Sequence, residues 1–144
     1  MSQTKQYCTF SLHGLYFGVE VLAVQEVLRH QPMTRVPLAS ATVQGLINLR
    51  GQIVTAIDLR LRLELPPRAG GQLPMNVVIR HADGAVSLLV DEIGEVLEMA
   101  DDGLERPPET IRGAARELIK GVYKLKERLL LILDTDKTVC LPAA

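Results

Sequence analysis

The sequence contains three histidines, the residue type best suited to proton transfer or metal binding near neutral pH. His13, His30 and His81 do not stand four residues apart on a helix, the spacing that places two imidazoles on one zinc ion. His13 and His81 fall at matching positions of two similar hairpins, which favours a structural or surface role. The histidines therefore predict neither a catalytic site nor a metal site.

Acidic residues offer the second possible chemistry. Asp101, Asp102 and Glu105 stand close together, and a pair of carboxylates can serve as the acid and base of a hydrolase. The neighbouring Gly103 and the two prolines behind it are more typical of a solvated loop. The chain also lacks the Gly-x-Ser-x-Gly, phosphate-loop and dinucleotide-binding motifs. We therefore expect no enzyme activity and no cofactor, and a carboxylate site near Asp101 stays open as an alternative.

The composition excludes further classes. Of the 144 residues, 47% are hydrophobic and 3% aromatic, and the net charge is −1. Such a chain is neither disordered nor a general polyanion binder, and its aromatics are too few for a base-stacking platform. The longest uninterrupted apolar run is Leu129–Leu133, whereas a membrane-spanning helix needs about 20 apolar residues. Because residues 1–5 also lack a signal-peptide core, we expect a cytoplasmic protein without direct membrane insertion.

The sequence divides into two halves of opposite charge. Seven basic and four acidic residues precede residue 75, whereas nine basic and thirteen acidic residues follow residue 74, which gives charges of +3 and −4. Prolines and two adjacent glycines between the halves predict a linker. We predict a first barrel over residues 14–66, a linker over residues 67–74, and a second barrel built from residues 1–13 and 75–144.

The two halves also repeat one pattern. Residues 45–58 match residues 121–134 without a gap, 76 positions later, and share the first Gly, a central Leu and the final Asp. Each copy predicts a strand, a tight turn, a second strand and a short helix, with Asp58 or Asp134 as the helix N-cap. Short strands separated by turns along the rest of the chain predict two small antiparallel barrels. The best helix candidate is residues 21–28, because Val, Val and Leu recur there at helical spacing.

Several residues in these elements could bind a protein partner. Arg50 stands in the predicted turn between two strands, where an interface anchor and an ordinary exposed turn residue are equally consistent with the sequence. At least one of Val24 and Val27 should be exposed, since other residues of the helix candidate suffice for the core. Strand alternation predicts that Leu97 is buried and that Val96 is exposed.

The order of these motifs resembles the CheW-type chemotaxis coupling proteins over nearly the whole chain. Asn48-Leu49-Arg50-Gly51 followed by Asp58-Leu59-Arg60 is the most specific part of the resemblance. The other matching segments are residues 17–21, 24–27, 34–37, 45–47, 90–91, 96–97, 121 and 132–134.

This resemblance implies a mainly β fold of two SH3-like five-stranded antiparallel β-barrels with one or two short helices, and no enzyme activity. It implies a scaffold that binds the regulatory domain of a CheA-type histidine kinase and the hairpin tip of a methyl-accepting chemoreceptor. Such a protein is cytoplasmic and is recruited to membrane-associated receptor arrays. A small-barrel nucleic-acid binder remains the alternative, since barrels of this size often bind oligonucleotides and the first half is basic.

The resemblance also assigns site residues. It implies a receptor-binding groove at Val24, Glu26, Val27, Arg50 and Val96. We expect Arg50 to pair with Glu26 and so to hold the rim of this groove. The resemblance further implies a kinase contact at Val36, Pro37, Gly45 and Ile47.

Overall fold

The computed structural model describes residues 3–37, 41–82 and 84–140. Within these ranges the chain forms strands and short helices, with 3-10 turns at Val21–Ala23 and Asp101–Gly103. In chain order the elements are β1 (Thr4–Leu12), β2 (Leu15–Glu20), β3 (Val24–Leu28), β4 (Val43–Leu49), β5 (Gln52–Asp58), α1 (Leu59–Arg62), β6 (Met75–His81), β7 (Gly84–Val90), β8 (Glu92–Ala100), α2 (Ala114–Leu118), β9 (Ile119–Lys124), β10 (Leu129–Leu133) and α3 (Thr135–Val139).

The strands form two five-stranded sheets. The first sheet has the order β8-β1-β2-β10-β9 and the second has the order β3-β6-β7-β5-β4. The predicted fold class is confirmed, because the chain is mainly β and consists of two five-stranded SH3-like units with short helices. One detail differs, since each sheet contains a parallel pair, β2 with β10 and β5 with β7.

The sheets divide the chain differently from the predicted boundaries. The hairpin β1–β2 joins strands β8, β9 and β10, whereas the hairpin β6–β7 joins β3, β4 and β5. The predicted boundary at residue 14 assigns β2 to the first unit, but β2 belongs to the sheet of the second unit. The predicted boundary at residue 75 assigns β6 and β7 to the second unit, but both strands belong to the sheet of the first unit. The first hairpin of each repeat therefore lies in the sheet that contains the remaining strands of the other repeat. The parallel pairs β2–β10 and β5–β7 connect the hairpins to these sheets, and such long-range pairing leaves no signal in the local sequence. Residues 1, 2, 38–40, 83 and 141–144 of the predicted units lie outside the described residues.

The repeated sequence does produce repeated structure. Asp58 Oδ1 accepts the N–H of Arg60 at 3.0 Å, and Asp134 Oδ1 accepts the N–H of Lys137 at 3.0 Å, so both predicted helix N-caps are confirmed. The ladders β4–β5 and β9–β10 each contain a register shift near the same end of the hairpin. The repeat is therefore a duplicated folding unit rather than a chance similarity of two β-rich segments.

The glycine that begins each repeated segment, Gly45 or Gly121, is required for the same structural reason in both units. A Cβ on Gly45 would lie 2.8 Å from the backbone oxygen of Thr34, and a Cβ on Gly121 would lie 3.0 Å from that of Glu105. These backbones meet in isolated β-bridges, Thr34 with Leu46 and Glu105 with Val122. Glycine at these positions lets a connecting segment approach the hairpin closely.

One hydrophobic cluster is shared by the two sheets. Phe10 and Phe17 of the first sheet stack at a centroid distance of 5.9 Å. They belong to the same buried cluster as Val77 and Leu88 of the second sheet and Leu59 of α1. Smaller clusters lie within each sheet. The two sheets are therefore held together mainly by burial of apolar side chains.

The predicted helix over residues 21–28 is wrong. The segment forms a 3-10 turn at Val21–Ala23 and then β3, which pairs with β6. A register shift between Val24 and Glu26 inserts one extra residue into β3. This bulge disturbs the strict alternation of a strand, so the apolar residues fall at a spacing close to that of a helix.

Candidate functional site

The β4–β5 turn carries Arg50. Arg50 has φ 52° and Gly51 has φ 87°, so both central residues adopt the left-handed backbone of a tight two-residue hairpin turn. The side chain of Asn48 accepts a hydrogen bond from the Gly51 N–H at 3.0 Å and stabilises the turn. The Asn48-Leu49-Arg50-Gly51 motif thus builds a hairpin whose arginine side chain is 71% exposed.

Arg50 reaches from this turn to Glu26 on β3. Arg50 Nη2 donates a hydrogen bond to Glu26 Oε2, which confirms the predicted pair. This hydrogen bond lowers the pKa of Glu26 and raises the pKa of Arg50. The Glu26 side chain is only 19% exposed, so the strand holds the carboxylate in place and the arginine is positioned against it.

Apolar surface is exposed on the strands that this ion pair connects. Val27 follows Glu26 on β3 and is 38% exposed, and Ile53 on β5 is 59% exposed. Val24 is half-buried against the cluster shared by the sheets, so the prediction that at least one of Val24 and Val27 faces solvent is confirmed. We name Glu26, Val27 and Arg50 the Arg50 corner. Strand alternation after the Arg50 turn could have identified Ile53.

Val96 occupies the position in the other repeat that Val27 occupies in the first. Val96 pairs with Cys8 of β1, just as Val27 pairs with Val77 of β6. Val96 is 56% exposed, which confirms the prediction for Val96, and Leu97 is partly buried against the inner cluster of the first sheet. Val96 therefore lies on the first sheet, whereas the Arg50 corner lies on the second.

The residues predicted for kinase binding fall into two groups. Val36 and Pro37 are exposed on the segment before β4. Gly45 is buried beneath Thr34, and Ile47 is buried in the cluster of the second sheet. Gly45 and Ile47 therefore support the β4–β5 hairpin from inside, whereas Val36 and Pro37 lie on the surface.

A buried ion-pair group gives a role to the arginine of the Asp58-Leu59-Arg60 motif, which the motif by itself does not reveal. Asp91 lies between β7 and β8 and accepts hydrogen bonds from Arg60 Nε at 2.9 Å, Arg68 Nε at 3.0 Å and the backbone N–H of His13 at 2.9 Å. Burial alone would raise the pKa of Asp91, but these hydrogen bonds outweigh it and lower the pKa. Asp91 thus ties α1, the linker and the β1–β2 turn together.

The two histidines that the hairpin patterns align, His13 and His81, do not occupy equivalent positions. His13 and Ala82 share the same turn position, each with φ 50°, whereas His81 pairs with Gly84 as Leu12 pairs with Leu15. The predicted match of His13 with His81 is therefore wrong by one residue. Within the ranges that the structure describes, no group of His, Cys, Asp and Glu side chains could hold a metal ion.

An apolar groove lies away from all the predicted site residues. It has a volume of about 620 Å³ and is formed by β2, β10, α2 and the segment after α1. Its apolar lining includes Leu15, Leu63, Ile111 and Leu129, and Arg128 stands at its edge, 3.8 Å from the centroid of the Tyr16 ring. The groove is a second candidate surface that the sequence did not predict.

Comparison with known proteins decides the family. The model of the CheW-like domain family matches residues 6–140. The chain belongs to the CheW-like family. A chemotaxis protein CheW of Treponema pallidum (strain Nichols) is 29% identical over 136 residues, which cover 92% of this chain and 80% of the relative. A chemotaxis protein CheW of Bacillus subtilis (strain 168) is 32% identical over 127 residues, which cover 88% of this chain and 81% of the relative.

A solved CheW-like structure has the same fold. The scaffolding protein TtCheW from Thermoanaerobacter tengcongensis superposes with a TM-score of 0.84 at 26% identity, covering 96% of this chain and 94% of that one. This member of the CheW-like family is thus a scaffold or adaptor of chemotaxis. The nucleic-acid-binding alternative finds no support in these comparisons. None of the helices in the described ranges combines the length and apolar character needed to cross a membrane.

Proposed function

We propose that this CheW-like protein links chemoreceptor cytoplasmic tips to a CheA-type histidine kinase, as a non-enzymatic adaptor in the cytoplasm that is recruited to membrane-associated receptor arrays. The observation that carries the proposal is the Arg50 corner, where an arginine held by Glu26 stands beside the exposed Val27. A charged group in a defined orientation beside apolar surface suits recognition of an amphipathic helix.

The receptor contact combines the Arg50 corner with Val24 and Val96. A receptor hairpin presents ridges of apolar side chains, which Val27 and Val96 meet from equivalent edge strands of the two sheets. Val24 supports this surface from below, because it packs against the shared core. Arg50 adds orientation through its guanidinium group, since its side chain is 71% exposed. A few such anchors supply most of the binding energy of a typical interface.

The proposed kinase contact is formed by β4 and by the segment that precedes it. Val36 and Pro37 provide its exposed surface, and Gly45 and Ile47 position the β4 strand behind it. Because the two contacts use different residues, one molecule would hold the receptor and the regulatory domain of the kinase together.

The test reconstitutes chemoreceptors in membranes with the kinase and this protein, and measures kinase phosphorylation. We expect Arg50→Ala to fold normally, to keep kinase binding in a pull-down, and to lower receptor-dependent activation about tenfold, the effect of one interface anchor. Arg106→Ala, at an exposed arginine remote from the corner in sequence, is the matched control. Full activation by folded Arg50→Ala would overturn the proposal.

A further inference from the structure

Glu95 on β8 is the counterpart of Glu26 on β3. Each glutamate directly precedes the exposed valine of an edge strand, Val96 or Val27. In both sheets the ladder of the edge strand shifts register just before this valine. The duplication therefore provides an internal comparison. The second sheet shows what a glutamate at this position binds, because Glu26 accepts a hydrogen bond from Arg50.

The first sheet does not supply Glu95 with an arginine of its own. Lys126 occupies the position of Arg50, 76 residues later, and the next residue is Glu127 where the Arg50 turn has a glycine. That glycine, Gly51, has φ 87°, which glycine adopts more readily than residues with a side chain. Among the described residues, neither Lys126 nor Glu127 has a positive φ, so the two turns differ in backbone. No ion pair between described residues involves Lys126 or Glu95.

A polar hollow of about 350 Å³ lies beside Glu95, where the ends of the second sheet are joined in the other unit. Gln25 donates a hydrogen bond to Gln52 across the ends of the second sheet. Their counterparts in the first sheet are Gly94 and Arg128. Because Gly94 has no side chain to reach across, this contact is not repeated and the hollow stays open. Its charged lining residues are Glu92, Glu95 and Arg128.

Hydrogen bonds fix the backbone at the wall of this hollow. The Tyr16 hydroxyl donates to Thr9 Oγ1 at 2.8 Å, and Thr9 Oγ1 donates to the backbone oxygen of Glu95 at 2.5 Å. A Cβ on Gly94 would lie 2.5 Å from the same Thr9 oxygen, so glycine lets β8 lie against this pair. Arg128 is positioned as well, since its Cζ lies 3.8 Å from the centroid of the Tyr16 ring. The exposed Glu95 side chain therefore extends from a preorganised backbone.

We propose that this hollow receives a basic side chain of the chemoreceptor tip, which pairs with Glu95 as Arg50 pairs with Glu26. The inference rests on the proposed receptor contact, in which Val96 is the neighbouring apolar anchor. Two carboxylates and one guanidinium line the hollow, and this balance of charge favours a cation. A receptor helix thus meets Arg50 at one edge of the contact and an acidic residue at the other, which fixes its orientation.

Co-sedimentation of this protein with membranes tests the inference, using the chemoreceptor with which Arg50→Ala is assayed. We expect Glu95→Gln to weaken receptor binding about tenfold, the loss of one charge-assisted hydrogen bond, and Glu95→Lys to weaken it further. Receptor binding should also fall as sodium chloride is added, and Glu95→Gln should reduce this dependence, which a purely structural role would not change. Glu117→Gln, at an exposed glutamate of α2, is the matched control and should bind like the natural chain.

Arg50→Ala in the same assay separates the possible results. If Arg50→Ala weakens receptor binding and Glu95→Gln does not, the site at Glu95 is overturned while the proposed receptor contact stands. If neither variant weakens receptor binding, the receptor contact itself fails and this inference fails with it. A loss that Glu95→Gln shows only in the kinase pull-down would assign the hollow to the kinase and would also overturn the proposal.

Discussion

Arg50 and Glu26 join the two ends of the second sheet. Glu26 lies on β3 and Arg50 follows β4, and these are the outermost strands in the order β3-β6-β7-β5-β4. A second contact lies beside this ion pair, because Gln25 Nε2 donates a hydrogen bond to Gln52 Oε1 at 3.5 Å. Gln25 precedes Glu26 by one residue, and Gln52 follows Arg50 by two. The sheet therefore curls until its ends meet, and the proposed receptor contact is built where they meet.

Glu26 should act through Arg50. We expect Glu26→Gln to reduce receptor-dependent kinase activation less than Arg50→Ala does, because the arginine remains but loses its charged partner. The double variant should be no worse than Arg50→Ala alone, since coupled residues are not additive. Phosphorylation in the reconstituted array measures both effects, with Glu109→Gln at an exposed site as the control. Additive losses would mean that Glu26 contacts the receptor independently.

Asp91 should be a major determinant of stability. Asp91→Ala leaves the buried guanidinium groups of Arg60 and Arg68 without their carboxylate, and breaking a buried ion pair costs about 3 kcal/mol or more. Urea denaturation measures the free energy of unfolding. The adjacent Glu92→Ala, at an exposed residue, should change it by no more than about 0.5 kcal/mol. Equal effects of the two substitutions would contradict the structural role of Asp91.

Because of Asp91, we expect the free energy of unfolding to depend on pH in the acidic range. The folded pKa of Asp91 lies below its ordinary value of 3.8, so its contribution is complete above that value and is lost as the pH falls through the folded pKa. The difference in unfolding free energy between the natural chain and Asp91→Ala should therefore be constant near neutral pH and shrink below about pH 4. A difference that grows on acidification would show that the pKa is raised instead.

The repeated glycines should resist substitution. Gly45→Ala and Gly121→Ala place a methyl group against the backbone oxygens of Thr34 and Glu105, and we expect each to lower the free energy of unfolding by about 1–3 kcal/mol. Gly70→Ala is the matched control, because a Cβ there has no neighbour within 4 Å. Thermal unfolding followed by circular dichroism compares the three variants. Tolerance of alanine at Gly45 would show that the connecting segment can move away.

Local features of the fold were predictable because they depend on residues close together in the chain. The alternation around Val96 and Leu97 correctly identified Val96 as the exposed residue, and Leu97 is the more buried of the two. The helix candidate failed for an equally local reason, since the bulge in β3 gives a strand the spacing of a helix. The Arg50–Glu26 pair came from the family resemblance, as periodicity alone does not bring those two residues together.

The sequence by itself determined the duplication, the tight turn at Arg50, the helix N-caps at Asp58 and Asp134 and the membership of the CheW-like family, because each rests on residue types at short, fixed spacings. Only the tertiary structure decided which hairpin enters which sheet, that Ile47 is buried, and that Arg60 and Arg68 converge on Asp91. Those outcomes depend on burial of apolar surface and on pairing between distant segments. Their free energies belong to the folded chain as a whole and are not carried by any short stretch of it.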